Sequence, residues 1–176
     1  LTLAAPSLSL DRLAGLLQLK GNPLPEGSNG SLKLTAALQE GRVTAAARLD
    51  FSRPAGAVSP RTIPLTGSID VKAAYTLQTD DFSLAALDVA IDNLLKGHAA
   101  GTVIKLRTER SFAGTVTIDE LNLAALAFLL PEKDRQKTSI GGSLRRSEFR
   151  FAGTGSQGLS RATGVLMLAD ASFGRD

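Results

Sequence analysis

The sequence predicts a mainly β protein, an antiparallel, strongly twisted or curled sheet that forms either an open trough or a partly closed sandwich. The first observation is a motif that occurs five times, in which a glycine precedes serine or threonine and then alternating apolar residues. Glycine permits the positive φ angles of tight turns, and an alternation of period 2 is typical of a half-buried strand. The second observation is the short spacing between these units, which favours antiparallel neighbours. The five motifs begin at Gly30, Gly67, Gly101, Gly114 and Gly142.

The strand pattern can be followed from one end of the chain to the other. Pro6 ends the first predicted strand, and Gln39-Glu40-Gly41 joins a hairpin. Residues 52–64 carry three prolines and a glycine, which is typical of a loop. We expect nine or ten strands, including those at residues 1–5, 31–38, 42–51, 65–78, 82–92, 100–108, 112–119, 139–153 and 162–172.

Two leucine-rich segments change to a helical period. In residues 8–17 and 121–130 the leucines recur at positions that share one face of a helix, and Pro131 ends the second segment. The two segments have the same leucine spacing, and each is followed by a polar loop and a Gly-Ser-Leu strand start. The sequence therefore predicts two short amphipathic helices and an internal repeat of about 110 residues, with units starting near 8 and 121. The alternative is two unrelated amphipathic helices.

Length and composition narrow the class of protein. A chain of 176 residues fits a single β-rich domain, which we interpret as a segment of a longer protein because it starts within a strand. Twenty basic and 17 acidic residues are scattered, with Arg145-Arg146 as an adjacent basic pair, so a nucleic-acid surface is not expected. There are no cysteines, and 43% of the residues are apolar but only 5% aromatic. Such a core or surface is smooth and aliphatic.

No residue set predicts catalysis, a metal or a cofactor. His98 is the only histidine and falls in a predicted turn, without a second histidine or a cysteine nearby. Asp80-Asp81 falls between two strands, where a solvated turn is expected. The string Gly153-Thr154-Gly155-Ser156-Gln157-Gly158 has the spacing of a dinucleotide fingerprint, but strands flank it on both sides and predict a hairpin loop. We therefore expect a protein that is not an enzyme.

The most informative set of side chains is apolar. Alternation places large aliphatic and aromatic residues on one face of successive strands, and water cannot remain against such a face. A second sheet, helices, another chain or lipid must cover it. The residues expected to line this face as a groove are Leu34, Leu38, Leu49, Phe51, Val71, Leu77, Val89, Ile91, Val116, Ile118, Phe149 and Phe151.

The second half of the chain contains, in order, a strand, a leucine-rich element, a Gly-x-Leu strand, a Phe-x-Gly strand and a closing strand, and the same order begins again in residues 8–38. The motifs are Gly114-Thr115-Val116-Thr117-Ile118, Leu129-Leu130-Pro131, Ile140-Gly141-Gly142-Ser143-Leu144, Phe149-Arg150-Phe151-Ala152-Gly153 and Thr163-Gly164-Val165-Leu166-Met167-Leu168-Ala169-Asp170. In this order and in these motifs the chain resembles the AsmA-like proteins of Gram-negative bacteria, a family that includes TamB and YhdP.

This resemblance implies a periplasmic segment of a protein anchored in the inner membrane, with the anchor outside this chain. It also implies an open β-trough that binds or guides phospholipid acyl chains between the inner and outer membranes. The expected partners are therefore phospholipid acyl chains and neighbouring segments of the same protein. The alternative is a structural or interaction module, a closed β-sandwich within a larger envelope protein.

Overall fold

The protein is described from a computed structural model, which covers residues 1–9, 28–53, 65–126 and 138–175. Ten strands and one helical turn follow one another along this part of the chain. They are β1 (Thr2–Ser9), β2 (Asn29–Gln39), β3 (Arg42–Arg53), β4 (Leu65–Thr76), β5 (Asp81–Ile91), β6 (Leu95–Ile104), β7 (Ser111–Asn122), α1 (Leu123–Leu126), β8 (Thr138–Thr154), β9 (Gly158–Val165) and β10 (Leu168–Arg175).

All ten strands belong to one antiparallel sheet, which confirms the predicted class and strand number. Strands β1 to β8 lie in chain order, each hydrogen-bonded to the next. The 17-residue strand β8 then takes two partners on its other side. Its first half pairs with β10 and its second half with β9. Because β1 does not pair with β9 or β10, the sheet is not closed.

Tight turns make this order possible. Strands β2 and β3 are joined by Glu40 and Gly41, whose φ angles are 49° and 75°. Two consecutive residues with positive φ form the type of two-residue turn that matches the right-handed twist of the flanking strands. Asp80 and Asn93 also have positive φ, at the turns that precede and follow β5. Local sequence thus determines the antiparallel order.

Three strand predictions are wrong in their bounds. Strand β1 continues through Pro6, which an edge strand tolerates, and the register shifts between Ala5 and Leu8. Strand β6 begins at Leu95 rather than residue 100, so His98 lies within a strand and not in a turn. The last predicted strand, residues 162–172, is two strands, β9 and β10.

The two predicted amphipathic helices are not supported by the described residues. Leu8 and Ser9, the start of the first, belong to strand β1, and residues 10–17 lie outside the described residues. In the second, Leu121 and Asn122 end strand β7, and α1 is a single turn of four residues. Residues 127–130 of that segment and residues 54–64 of the predicted loop also lie outside the description. None of the described helical residues forms a segment that could span a membrane.

The internal repeat stays a prediction. Both leucine segments connect neighbouring antiparallel strands, β1 to β2 and β7 to β8. Leu8 is opposite Gly30 in the first pair, and Leu121 is opposite Leu144 in the second, two residues beyond the corresponding Gly142. The two settings are alike in topology, as a repeat requires.

Candidate functional site

The strand register places the apolar side chains on one face of the sheet. In antiparallel pairs, residues directly opposite one another point to the same side. A single row of such partners crosses nine strands and contains no polar side chain. The row is Leu3, Leu34, Ala47, Val71, Leu87, Ala99, Val116, Phe149 and Gly164. We call the side of the sheet that carries this row the apolar face.

Eleven of the twelve predicted groove residues share the apolar face through their register partners. The exception is Leu77, which lies beyond the end of β4, where its N–H donates to the Gly41 carbonyl at 2.9 Å. Leu38 is on the face but near the end of β2, and 68% of it is exposed. The face is therefore centred on strands β2 to β8.

A β-bulge in β5 explains why Phe82 and Leu84 were not predicted to lie on this face. Leu84 is opposite Ala73 and Leu87 is opposite Val71, although strict alternation puts residues 84 and 87 on different sides. Ala85 is an extra residue without a partner on β4, so Leu84 and Leu87 point to the same side of the sheet. The sequence contains a sign of this bulge. The large apolar residues of β5 are at even positions in Phe82 and Leu84, but at odd positions from 87 to 91. Other members of the face outside the predicted groove are Phe112, Leu121 and Leu144.

Four phenylalanine rings lie against glycines of neighbouring strands on the apolar face. A Cβ atom added to Gly114 would come within 2.7 Å of the Phe151 ring, and one added to Gly67 would come equally close to the Phe51 ring. Phe112 and Phe149 lie in the same way against Gly153 and Gly164, respectively. Each glycine leaves room for a ring to lie along the sheet, a pairing that also stabilises the glycine position. Bulky rings therefore add apolar area without projecting far from the backbone.

Two further glycines of the apolar face lie against a neighbouring backbone. A Cβ at Gly97 would lie 2.6 Å from the Thr117 carbonyl oxygen, and one at Gly101 would lie 2.7 Å from that of Ala113. Both positions are on the apolar face, so the backbone of β7 approaches closely on this side. A side chain at either position would clash with that backbone.

The apolar face is only half-buried. Among the described large apolar side chains, Leu144 alone is buried, with 9% of its surface exposed. Val71, Val89 and Val116 are at the centre of the face, yet each remains partly accessible. In a closed sandwich, such residues interdigitate with a second sheet and form a buried core. The described strands provide no second sheet over this face.

The opposite face is polar and solvated. Arg48 on β3 pairs with Asp50 at 2.9 Å and with Asp70 on β4 at 3.1 Å. The hydrogen bond from Arg48 lowers the pKa of the Asp50 carboxyl below its usual value. Further along this face, Arg150 pairs with Glu148 at 2.6 Å. Exposed pairs of this kind contribute little to stability, and they keep this side of the sheet in water.

A polar cluster joins the turns at one end of the sheet. The Tyr75 hydroxyl donates to the Asp80 carboxylate, and the Arg107 N–H donates to the same group at 2.7 Å. Both hydrogen bonds lower the pKa of Asp80, and the bond from Tyr75 has the larger effect. The turn after β6 is thus joined to the turn after β4. The Gly155 N–H also donates to the Arg110 carbonyl at 3.0 Å, which joins the loop after β8 to the turn after β6. We call this group of hydrogen-bonded turns the clamp.

His98 and the glycine-rich string of residues 153–158 complete the features singled out in the sequence. His98 is half-exposed on the polar face of β6, 3.5 Å from the Asp119 carboxylate and opposite Asp88 and Thr117. The residues that the structure describes contain no group of three histidine or carboxylate side chains that could hold a metal ion. The predicted hairpin loop is confirmed, since residues between Thr154 and Gly158 connect β8 to β9. Comparisons with protein-family models, curated proteins and solved structures gave no match.

Proposed function

We propose that the chain binds and guides lipid acyl chains on its apolar face, as an open trough, and that it does so without catalysis. The observation that carries the proposal is the row of apolar partners across nine strands, half-buried and without a covering layer among the described strands. A surface of aliphatic side chains and phenylalanine rings, without polar groups in the central row, suits hydrocarbon, because hydrophobic attraction is non-directional and scales with the apolar area removed from water.

The size of the face suits a complete acyl chain. Eight strand spacings of about 4.8 Å give a path of about 38 Å across the nine strands. An acyl chain in one leaflet covers about 15 Å, half of the hydrocarbon core of a bilayer. Each methylene group that leaves water contributes about 0.8 kcal/mol. Two additional methylenes should therefore tighten binding about fifteen-fold as long as the chain stays on the face.

The resemblance to AsmA-like proteins supports the same class of ligand. Within this proposal the chain is a periplasmic segment of a protein anchored in the inner membrane, and phospholipids pass along the trough between membranes. Neighbouring segments of the same protein would then continue the apolar face. Lipid headgroups remain in water, so chains of equal length should bind similarly whatever headgroup they carry.

Photo-crosslinking tests the proposal with matched pairs of adjacent positions. Benzoylphenylalanine is placed at Leu49 or Val89 on the apolar face, and at the preceding residues Arg48 or Asp88 on the polar face. After irradiation with phospholipid, mass spectrometry should find lipid adducts at the first two positions and none at the other two. Equal labelling of both faces indicates nonspecific adsorption and contradicts the proposal.

The alternative, a structural or interaction module, predicts a different result. In that case another polypeptide covers the apolar face, and no position captures lipid. The protein would instead bury Leu49 and Val89 in a complex, and photo-crosslinks would join it to protein. Capture of lipid at the apolar positions by the isolated chain would argue against this alternative.

A further inference from the structure

The connection between β9 and β10 exposes four consecutive aliphatic side chains, which we call the aliphatic corner. Val165 is 62% exposed, Leu166 52%, Met167 51% and Leu168 57%. In a regular strand two of these would point to each face of the sheet. Here Leu166 and Met167 lie between the two strands. All four side chains are therefore more than half accessible to solvent at one edge of the sheet, beyond the centre of the apolar face.

Hydrogen bonds to β8 fix the position of the aliphatic corner. The Met167 N–H donates to the Ser147 hydroxyl at 3.0 Å, and Ser147 is fully buried. The Arg145 N–H donates to the Met167 carbonyl at 2.9 Å. These bonds hold the connection against the point where β8 changes its partner from β10 to β9. The aliphatic side chains are consequently exposed in the folded protein.

Two arginines lie at the same point of β8. Arg145 and Arg146 are exposed, and Arg146 has a left-handed φ of 48°. Neither forms an ion pair with any residue that the structure describes. Glu120 is directly opposite Arg145 without pairing to it, and Glu148 is occupied by Arg150. Arg145 donates a hydrogen bond from Nε to the Ser143 hydroxyl at 3.3 Å. Two cations without an ion-pair partner among the described residues thus adjoin four exposed aliphatic side chains.

We propose that the aliphatic corner, with Arg145 and Arg146, docks on the surface of an anionic lipid membrane. Aliphatic side chains insert at the boundary between headgroups and acyl chains, and nearby cations are attracted to anionic headgroups. Guanidinium groups also form bidentate hydrogen bonds with phosphate. This role goes beyond acyl-chain binding, because it concerns contact with an intact bilayer at the sheet edge and does not require a lipid on the apolar face.

Vesicle flotation measures the docking. The complete chain is mixed with phosphatidylcholine vesicles, or with vesicles that also contain phosphatidylglycerol, and the bound fraction is determined. The unsubstituted chain should bind the anionic vesicles and be weakened by salt. Removing both charges (Arg145→Gln with Arg146→Asn, which tolerates positive φ) should reduce binding about 25-fold, or about five-fold for each arginine. Leu166→Ser with Met167→Ser should reduce it ten-fold or more.

Matched variants far from the corner serve as controls. Ile104→Ser removes an aliphatic side chain that is 49% exposed at the last residue of β6 and outside the apolar face, and Arg42→Gln removes an exposed cation. Both should keep vesicle binding within about two-fold of the unsubstituted chain. Thermal melting checks that all variants remain folded. A loss in the controls equal to that in the corner variants overturns the proposal.

A fluorescence measurement keeps the proposal testable even if a corner variant unfolds. The chain has no cysteine, so Met167→Cys and Thr44→Cys each provide one labelling position for an environment-sensitive dye. The dye at residue 167 should shift to the blue with anionic vesicles, and the dye at residue 44 on the polar face should not. Equal shifts, no shift, or a shift that depends only on protein concentration would overturn membrane docking, the last by indicating self-association. Corner variants should still capture short-chain lipid at Leu49, which separates this test from that of the acyl-chain site.

Discussion

The two faces of this sheet share the same strands but differ in what each side chain contributes. On the apolar face, phenylalanines lie on glycines and aliphatic residues form unbroken rows across the strands. On the polar face, neighbouring strands are linked by exposed ion pairs such as that between Arg48 and Asp70. The comparison teaches that the surface on which we propose lipid binding is also the one whose apolar contacts stabilise the sheet, whereas the polar face keeps its charged groups in water.

The largest expected difference between the faces comes from introducing a carboxylate. Val71→Asp puts a charge without a partner at the centre of the apolar face and should destabilise the chain by about 3 kcal/mol or more. Lys72→Asp changes the adjacent, exposed position on the polar face, and its effect should stay within about 1 kcal/mol. Urea unfolding followed by circular dichroism compares the two. Similar midpoints would mean that the apolar face does not stabilise the sheet.

A smaller difference should result from filling a glycine position. Gly114→Val brings a side chain against the Phe151 ring and the Ala100 carbonyl, and should cost about 2 kcal/mol. Ala113→Val, one residue earlier on the exposed side, should be neutral or slightly stabilising because valine favours strands. Thermal melts measure both. If Gly114→Val is destabilising because of the ring, Phe151→Ala in the same chain should recover part of the loss, and strict additivity would contradict the ring–glycine pairing.

The smallest effect concerns the clamp between the turns and is a dependence on pH. The pKa of Asp80 is lower in the folded protein than in the unfolded chain, chiefly because of the Tyr75 hydroxyl. The stabilisation from the Asp80 carboxylate is therefore complete above about pH 4 and is lost as the pH falls through the lowered pKa. Asp80→Asn should be less stable at neutral pH and should change less between neutral and acidic pH.

The exposed aspartate Asp88, on strand β5, provides the control for this experiment. Asp88→Asn should have the same acid unfolding profile as the unsubstituted chain when both are followed by circular dichroism. Tyr75→Phe should reproduce part of the Asp80→Asn profile, since it removes the main hydrogen bond to the carboxylate. An unchanged acid profile in Asp80→Asn would show that the clamp does not contribute to the pH dependence of folding.

The sequence by itself determined the strand number, the antiparallel order and most of the apolar face. Alternation and turn residues act over a few neighbouring positions, so they can be recognised without knowledge of distant contacts. This is why the hairpin at Glu40-Gly41 was predicted correctly, and why alternation puts Leu49 and Val89 on the side of the sheet where the register has them. Bulges were harder to recognise, because the extra residue at Ala85 matters only through its partners on neighbouring strands.

The tertiary structure decided where strands end, which strands β8 pairs with and what lies against the apolar face, and local sequence patterns do not predict these properties. The helical leucine spacing of residues 121–130 competes with the pairing of β7 and β8, and pairing holds Leu121 and Asn122 in the strand. The division of β8 between two partners, and with it the exposed aliphatic corner, depends on residues far apart in sequence. Whether an apolar face is covered is also a property of the complete chain. Alternation determines which side of a strand is apolar, but only the arrangement of all strands determines what lies against it.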